Sequence, residues 1–181
     1  MQAFSVKRNV MRTLLVFHLL GIALVIGSRA ANIVVYRQTS QAGVPMLGLG
    51  RDLGRVIGQS LTSPSLFVIV VTGVAMAFLR YGRRPPLWVW IKACLTVLVL
   101  TVAFTLVGPS LRVAQELARW STEHNQLAVH YEASAMRASL YGGIVFALFF
   151  VNIVVAVWKP FLGSQLPGFR RSNPGRGRRQ G

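Results

Sequence analysis

Acidic residues are nearly missing from this chain of 181 residues: Asp and Glu total 4 against 20 Lys and Arg, a formal charge of +16. None of the four acids falls in a long apolar run. That scarcity argues against a carboxylate proton relay and leaves no paired carboxylates in the apolar segments. The single Cys excludes a disulfide scaffold, and with only 3 His it excludes a multi-cysteine metal site. There is no Ser–His–Asp set, no phosphate-binding Gly loop, and EHNQLAVH is not a HExxH motif. Charged residues make up only 13% of the chain, while 53% is hydrophobic and the mean hydropathy is +0.52. These values exclude a disordered chain and argue against an ordinary soluble domain. An apolar, basic chain with few acids has the composition of a membrane protein whose charge is confined to short loops and tails.

Crossing roughly 30 Å of hydrocarbon at 1.5 Å per residue takes about 20 apolar residues. Four runs qualify, at about 14–35, 61–79, 87–107 and 140–158. The first is too long for the apolar region of a cleaved signal peptide and is expected to span. The expected fold is all-α, a polytopic four-helix antiparallel bundle covering residues 1–161. Twelve basic residues fall on one side: Lys7, Arg8 and Arg12, then Arg80, Arg83 and Arg84, then Lys159, Arg170, Arg171, Arg176, Arg178 and Arg179. The other side has six, Arg37, Arg51, Arg55, Arg112, Arg119 and Arg137, and holds all the acids. The richer side is expected to be cytoplasmic, which places both termini inside and the protein in a cell's inner (plasma) membrane.

The connections differ in character. Residues 45–58 carry Met46, Leu49, Leu53, Val56 and Ile57 at helical spacing, an amphipathic helix expected at the outer surface. RYGRRPP is a tight turn. Residues 108–139 are polar but helix-prone, so spans three and four are expected to extend outward as helices. Residues 162–181, rich in Gly, Pro and Arg, read as a disordered basic tail suited to anionic lipid, with no nucleic-acid partner expected.

Polar side chains within hydrocarbon are costly, so each needs a physical reason. On the first span His18, Arg29 and Tyr36 fall within about 20° of one another at 100° per residue, near Gly21, Val25 and Asn32. That face is expected to point into the bundle, with Gly21 admitting a neighbouring helix or a flat ligand. His18, Lys92 and Asn152 share a depth near the cytoplasmic end, with Thr72 and Gly73 slightly deeper, so each helix contributes to one polar layer. An imidazole there is a candidate haem ligand or proton carrier; otherwise it bonds Asn152 or a backbone carbonyl. Lys92 either snorkels to the interface or pairs with an anion in the layer. Arg29 lies closer to the outer surface and within snorkelling reach. Asn152 also reads as helix–helix glue.

FHLLGIALVIGSR in the first span, WVWIKACL opening the third and VNIVVAVWKPF ending the fourth resemble the four-helix CopD/HemJ-like membrane group. The stretch YGGIVFALFF carries no acid, which puts the chain nearer an uncharacterised bacterial branch of that group than its protoporphyrinogen oxidases. The resemblance implies haem or porphyrin bound through His18, with Lys92 as partner; Asn152 and Arg29 are further candidates from their positions. Iron of a haem held by His18 is the one metal expected. The alternative is a non-catalytic subunit or assembly partner of a larger membrane complex, or a homo-oligomer. Copper transport has only His18, Met76 and Cys94 to draw on.

Overall fold

The computed structural model describes residues 2–158; Lys159 and the basic tail lie outside the described residues. Six α-helices follow in order: α1 Gln2–Gln41, α2 Leu47–Ile57, α3 Ser63–Tyr81, α4 Leu87–Val102, α5 Gly108–His124 and α6 Tyr131–Trp158. The second and third long helices are each interrupted once by a π-turn, at Gly58–Thr62 between α2 and α3 and at Ala103–Val107 between α4 and α5. A proline follows each turn at the same offset, Pro64 and Pro109. Proline lacks an N–H and its ring clashes with the carbonyl four residues back, so a widened turn keeps the helix continuous where an α-turn would break. Hydroxyls bond carbonyls around both turns: Ser63 Oγ to Gly58 O at 3.2 Å and Ser110 Oγ to Leu106 O at 2.7 Å.

Turn chemistry sets the remaining boundaries. Gly43 (φ 90°) and Pro45 reverse the chain after α1. Gly82 (φ 60°) ends α3, and Pro86 opens α4 in an extended conformation. Asn125 (φ 50°) closes α5 in the left-handed region, which Asn tolerates better than most side chains.

Four helices are long and apolar enough to cross a membrane, and little of their apolar surface is buried. Phe104 is 76% exposed and Phe67 70%. An exposed apolar girdle of this extent suits acyl chains, not water. The chain is an all-α four-helix bundle and a multi-pass membrane protein. α1 packs on α3 and α4 on α6, while α2 and α5 join the two pairs beyond the apolar spans.

The best-packed part of the molecule is this α2–α5–α6 layer. Leu47, Ala118, Ala128, Tyr131 and Ala135 form its core. Ala114 and Ala118 are fully buried, so the small side chains of α5 allow close helix approach. Gly48 N donates to Thr122 Oγ1 at 3.0 Å, and Gln115 Nε2 and Arg119 Nη2 both donate to Asp52 Oδ1, at 2.6 and 2.8 Å. The amphipathic segment is therefore not a free surface helix. It continues into α3, with Leu47, Gly48 and Gly50 buried and Leu49, Leu53 and Val56 exposed. Its glycine face docks, because small residues let backbones approach, and its apolar face is left for lipid.

Ser121 is the tie between α5 and α6. Fully buried, it donates to Leu117 O at 2.7 Å and accepts the Ala128 N–H at 3.0 Å. Ser121→Ala strands that buried N–H. It is expected to destabilise the protein by about 1–3 kcal/mol, read as a lower Tm in detergent, while Ser134→Ala on the half-buried start of α6 leaves Tm within a degree or so.

Candidate ligand site between the helices

The polar face expected on α1 is turned inward. Gly21, Val25 and Ser28 are buried on it, and His18, Arg29, Asn32 and Tyr36 are half-buried. At Gly21 the neighbour is a helix: an added Cβ would meet Ile69 Cγ1 at 2.8 Å and Ser65 O at 3.2 Å. The space the glycine opens is filled by α3, leaving none there for a flat ligand.

His18 Nδ1 lies 2.9 Å from Thr72 Oγ1 of α3. Thr72 Oγ1 in turn donates to Val68 O at 2.6 Å. A hydroxyl has one proton, and Thr72 gives it to the carbonyl, so Thr72 accepts the proton of His18 Nδ1. The hydrogen-bond network thereby assigns the Nδ1–H tautomer and leaves the Nε2 lone pair free. Gly73 borders the same ring, since a Cβ there would sit 3.3 Å from His18 Cε1.

The other helix pair carries the matching arrangement. Asn152 Nδ2 of α6 donates to Thr96 Oγ1 of α4 at 2.9 Å, and Thr96 Oγ1 donates to Lys92 O at 2.8 Å. Asn152 Oδ1 is buried and unpartnered. Lys92 is half-buried on the same helix, within Coulombic range of the His18 ring. His18 thus bonds Thr72 Oγ1, with the backbone of Ile69 also within hydrogen-bond reach, and does not bond Asn152. Asn152 is glue between α4 and α6, with its carbonyl oxygen unused. The layer consists of two bridged helix pairs, His18–Thr72 and Asn152–Thr96, with Lys92 between them in charge if not in contact.

Arg29 stands apart. Eleven residues beyond His18 on α1, it is about 16 Å further along the helix. Its guanidinium lies against α6, where a Cβ on Gly142 would come within 3.1 Å of Nη2. It is directed at a neighbouring helix instead of outward to the interface. Sequence reasoning missed the bridge between Ser28 Oγ and Thr62 Oγ1, 2.8 Å, which pins α1 beside the first π-turn. Ser28 shares the inward face of α1, and that position was its signal. Among the described residues no cluster of three or more His, Cys, Asp or Glu forms a metal site.

Fold and polar layer together define a helical multi-pass membrane protein with a half-buried ionisable layer on its spans. Comparison with protein-family models, with curated proteins and with solved structures finds no match to the chain.

Proposed function

We propose that the protein binds a haem or porphyrin at the layer formed by His18 and Lys92, in the leaflet next to the two basic, cytoplasmic termini. The supporting observation is the tautomer that Thr72 fixes: a histidine whose Nδ1–H is held by an acceptor presents Nε2 as a ready, oriented ligand. The donor set fits such a group. His18 Nε2 would hold the iron, the Lys92 ammonium would pair with a propionate carboxylate, and Asn152 Oδ1 offers a free acceptor beside them. A bound tetrapyrrole would bring redox chemistry that the side chains lack. The chain's own part is to orient the imidazole through Thr72 and hold a cation beside it.

The test is a titration of the purified full chain in neutral detergent with hemin. Saturable binding of one equivalent, with a Soret band displaced from that of free hemin and shifting again on dithionite reduction, is the expected result. Non-saturable partitioning equal to that of empty micelles would overturn the reading.

A second reading, a subunit or assembly partner of a larger membrane complex, has one observation in its favour. Val129, 93% exposed, and Leu127 stand together as exposed apolar side chains on the α5–α6 turn. Purification of a monodisperse protein with no co-purifying chain would count against it.

A further inference from the structure

The end of the spans opposite the α2–α5–α6 layer carries charge of one sign. Helix α1 is unbroken from Gln2 to Gln41, and at 100° per residue Lys7 shares the face of His18, eleven residues on. His18 meets Thr72 and Gly73 of α3. The antiparallel pairing of α1 with α3 therefore carries the first turns of α1 past the end of α3. Arg80 lies seven residues beyond Gly73, about 10 Å by helix rise, and Lys7 lies about 16 Å beyond His18. Lys7, Arg8 and Arg12 thus come level with Arg80, Arg83 and Arg84 at the α3–α4 turn, and all six are exposed.

The turn itself is held in shape. Gly82 (φ 60°) ends α3, Tyr81 and Trp88 meet edge to face with 5.8 Å between ring centroids, and the Arg80 guanidinium stands 5.6 Å from the Tyr81 centroid. The apolar run of α3 stops at Leu79 and that of α4 starts at Leu87, so these arginines flank the hydrocarbon directly. Tyr and Trp are the rings that favour that boundary. No acid of the chain answers the cations. Asp52, Glu116, Glu123 and Glu132, its four acidic residues, lie on α2, α5 and the first turn of α6, at the opposite end. Among the described residues the one salt bridge, Asp52 with Arg119, is there too. Like charges gathered by folding repel one another, and here their counter-charge has to come from outside the chain.

We propose that the surface formed by the start of α1 and the α3–α4 turn binds the headgroups of anionic phospholipids. Position favours lipid over another polyanion. The phosphates of a leaflet stand at the depth where the apolar runs end, and a nucleic acid would have to displace them. Each basic side chain near such a surface strengthens the attraction about fivefold. The surface is separate from the His18 layer and does not depend on it. It is also separate from residues 162–181, which every protein in the following experiment retains.

The full chain is reconstituted into nanodiscs of equal parts phosphatidylglycerol and phosphatidylcholine, and the lipids that stay bound on release are counted by mass spectrometry. The unmodified protein is expected to retain phosphatidylglycerol at least about tenfold beyond the bilayer ratio, the gain of one to two basic side chains. Substituting Arg80→Gln, Arg83→Gln and Arg84→Gln together should cut that enrichment at least about fivefold. The triple change Arg37→Gln, Arg112→Gln and Arg137→Gln removes the same charge from exposed positions at the other end and should leave it unchanged. Arg80→Lys, Arg83→Lys and Arg84→Lys together should also leave it unchanged, which separates lost charge from a disturbed turn. An enrichment indifferent to the Gln changes in the turn, or lost equally in the other triple variant, overturns the proposal. So does capture of a labelled oligouridylate by the protein in all-phosphatidylcholine nanodiscs that the same three Gln changes abolish and added phosphatidylglycerol does not weaken.

Discussion

His18→Ala is expected to abolish the Soret signature of the hemin complex and leave the protein folded. His18 carries the imidazole of the layer, and Thr72 keeps its bond to Val68 O without it. The cavity left is partly open, so the loss of stability stays well below that of a buried large-to-small change, about 2–5 kcal/mol. Two further variants separate ligation from packing. Thr72→Val removes the acceptor that fixes the tautomer and is expected to weaken binding about 10–100-fold, as loss of an orienting partner does at other histidine ligands. Lys92→Met is expected to weaken binding of hemin but not of its dimethyl ester, which has no carboxylate for the ammonium to meet. A His18→Ala protein with the unaltered spectrum would end the ligand assignment whatever its stability.

The largest expected effect on stability is at Gly50. A Cβ there would overlap the Thr39 hydroxyl and come within 2.7 Å of Thr39 Cβ. Thr39 cannot swing aside cheaply: it is β-branched, and its hydroxyl is bonded to Val35 O at 2.9 Å. The helices must part instead, which separates α2 from α1 at the layer that joins the two helix pairs. Gly50→Val is expected to destabilise by about 3 kcal/mol, the upper end for overpacking, or roughly 6–12 °C in Tm for a chain of this length. Gly27→Ala serves as the control. Nothing lies within 4 Å of a Cβ there, and alanine favours helix by about 0.5–1 kcal/mol, so Tm should hold or rise. Equal melting of the Gly50→Val and unmodified proteins would show that α2 does not dock as described.

The spans were legible because an apolar run of bilayer length is rarely tolerated anywhere but in hydrocarbon. The inward face of α1 was legible too, because His18, Gly21, Val25, Arg29, Asn32 and Tyr36 recur at helical spacing. What each of those residues touches was not. Helix adjacency is a tertiary property, so the sequence left His18 without its threonine and Gly21 with two candidate neighbours. The amphipathic segment showed its apolar face, but periodicity could not tell whether its glycine face was docked. The stacking of the Arg51 guanidinium over Tyr36, 4.4 Å from the ring centroid, and beside Tyr131, 5.7 Å from its centroid, was hidden for the same reason. These residues stand on three helices distant in sequence, and an arginine in a polar connection reads as a solvated charge until an aromatic ring is found beneath it.

The two π-turns have a consequence for how this molecule can change. Each widened turn holds more residues than the 3.6 of an ordinary one, so the angular phase of the helix is reset there. α2 can therefore present glycines to α1 and α5 without dictating which edge of α3 greets the histidine, and α4 and α5 enjoy the same independence. The extramembrane layer and the lipid-embedded layer are geared separately, and drift in one need not turn the other.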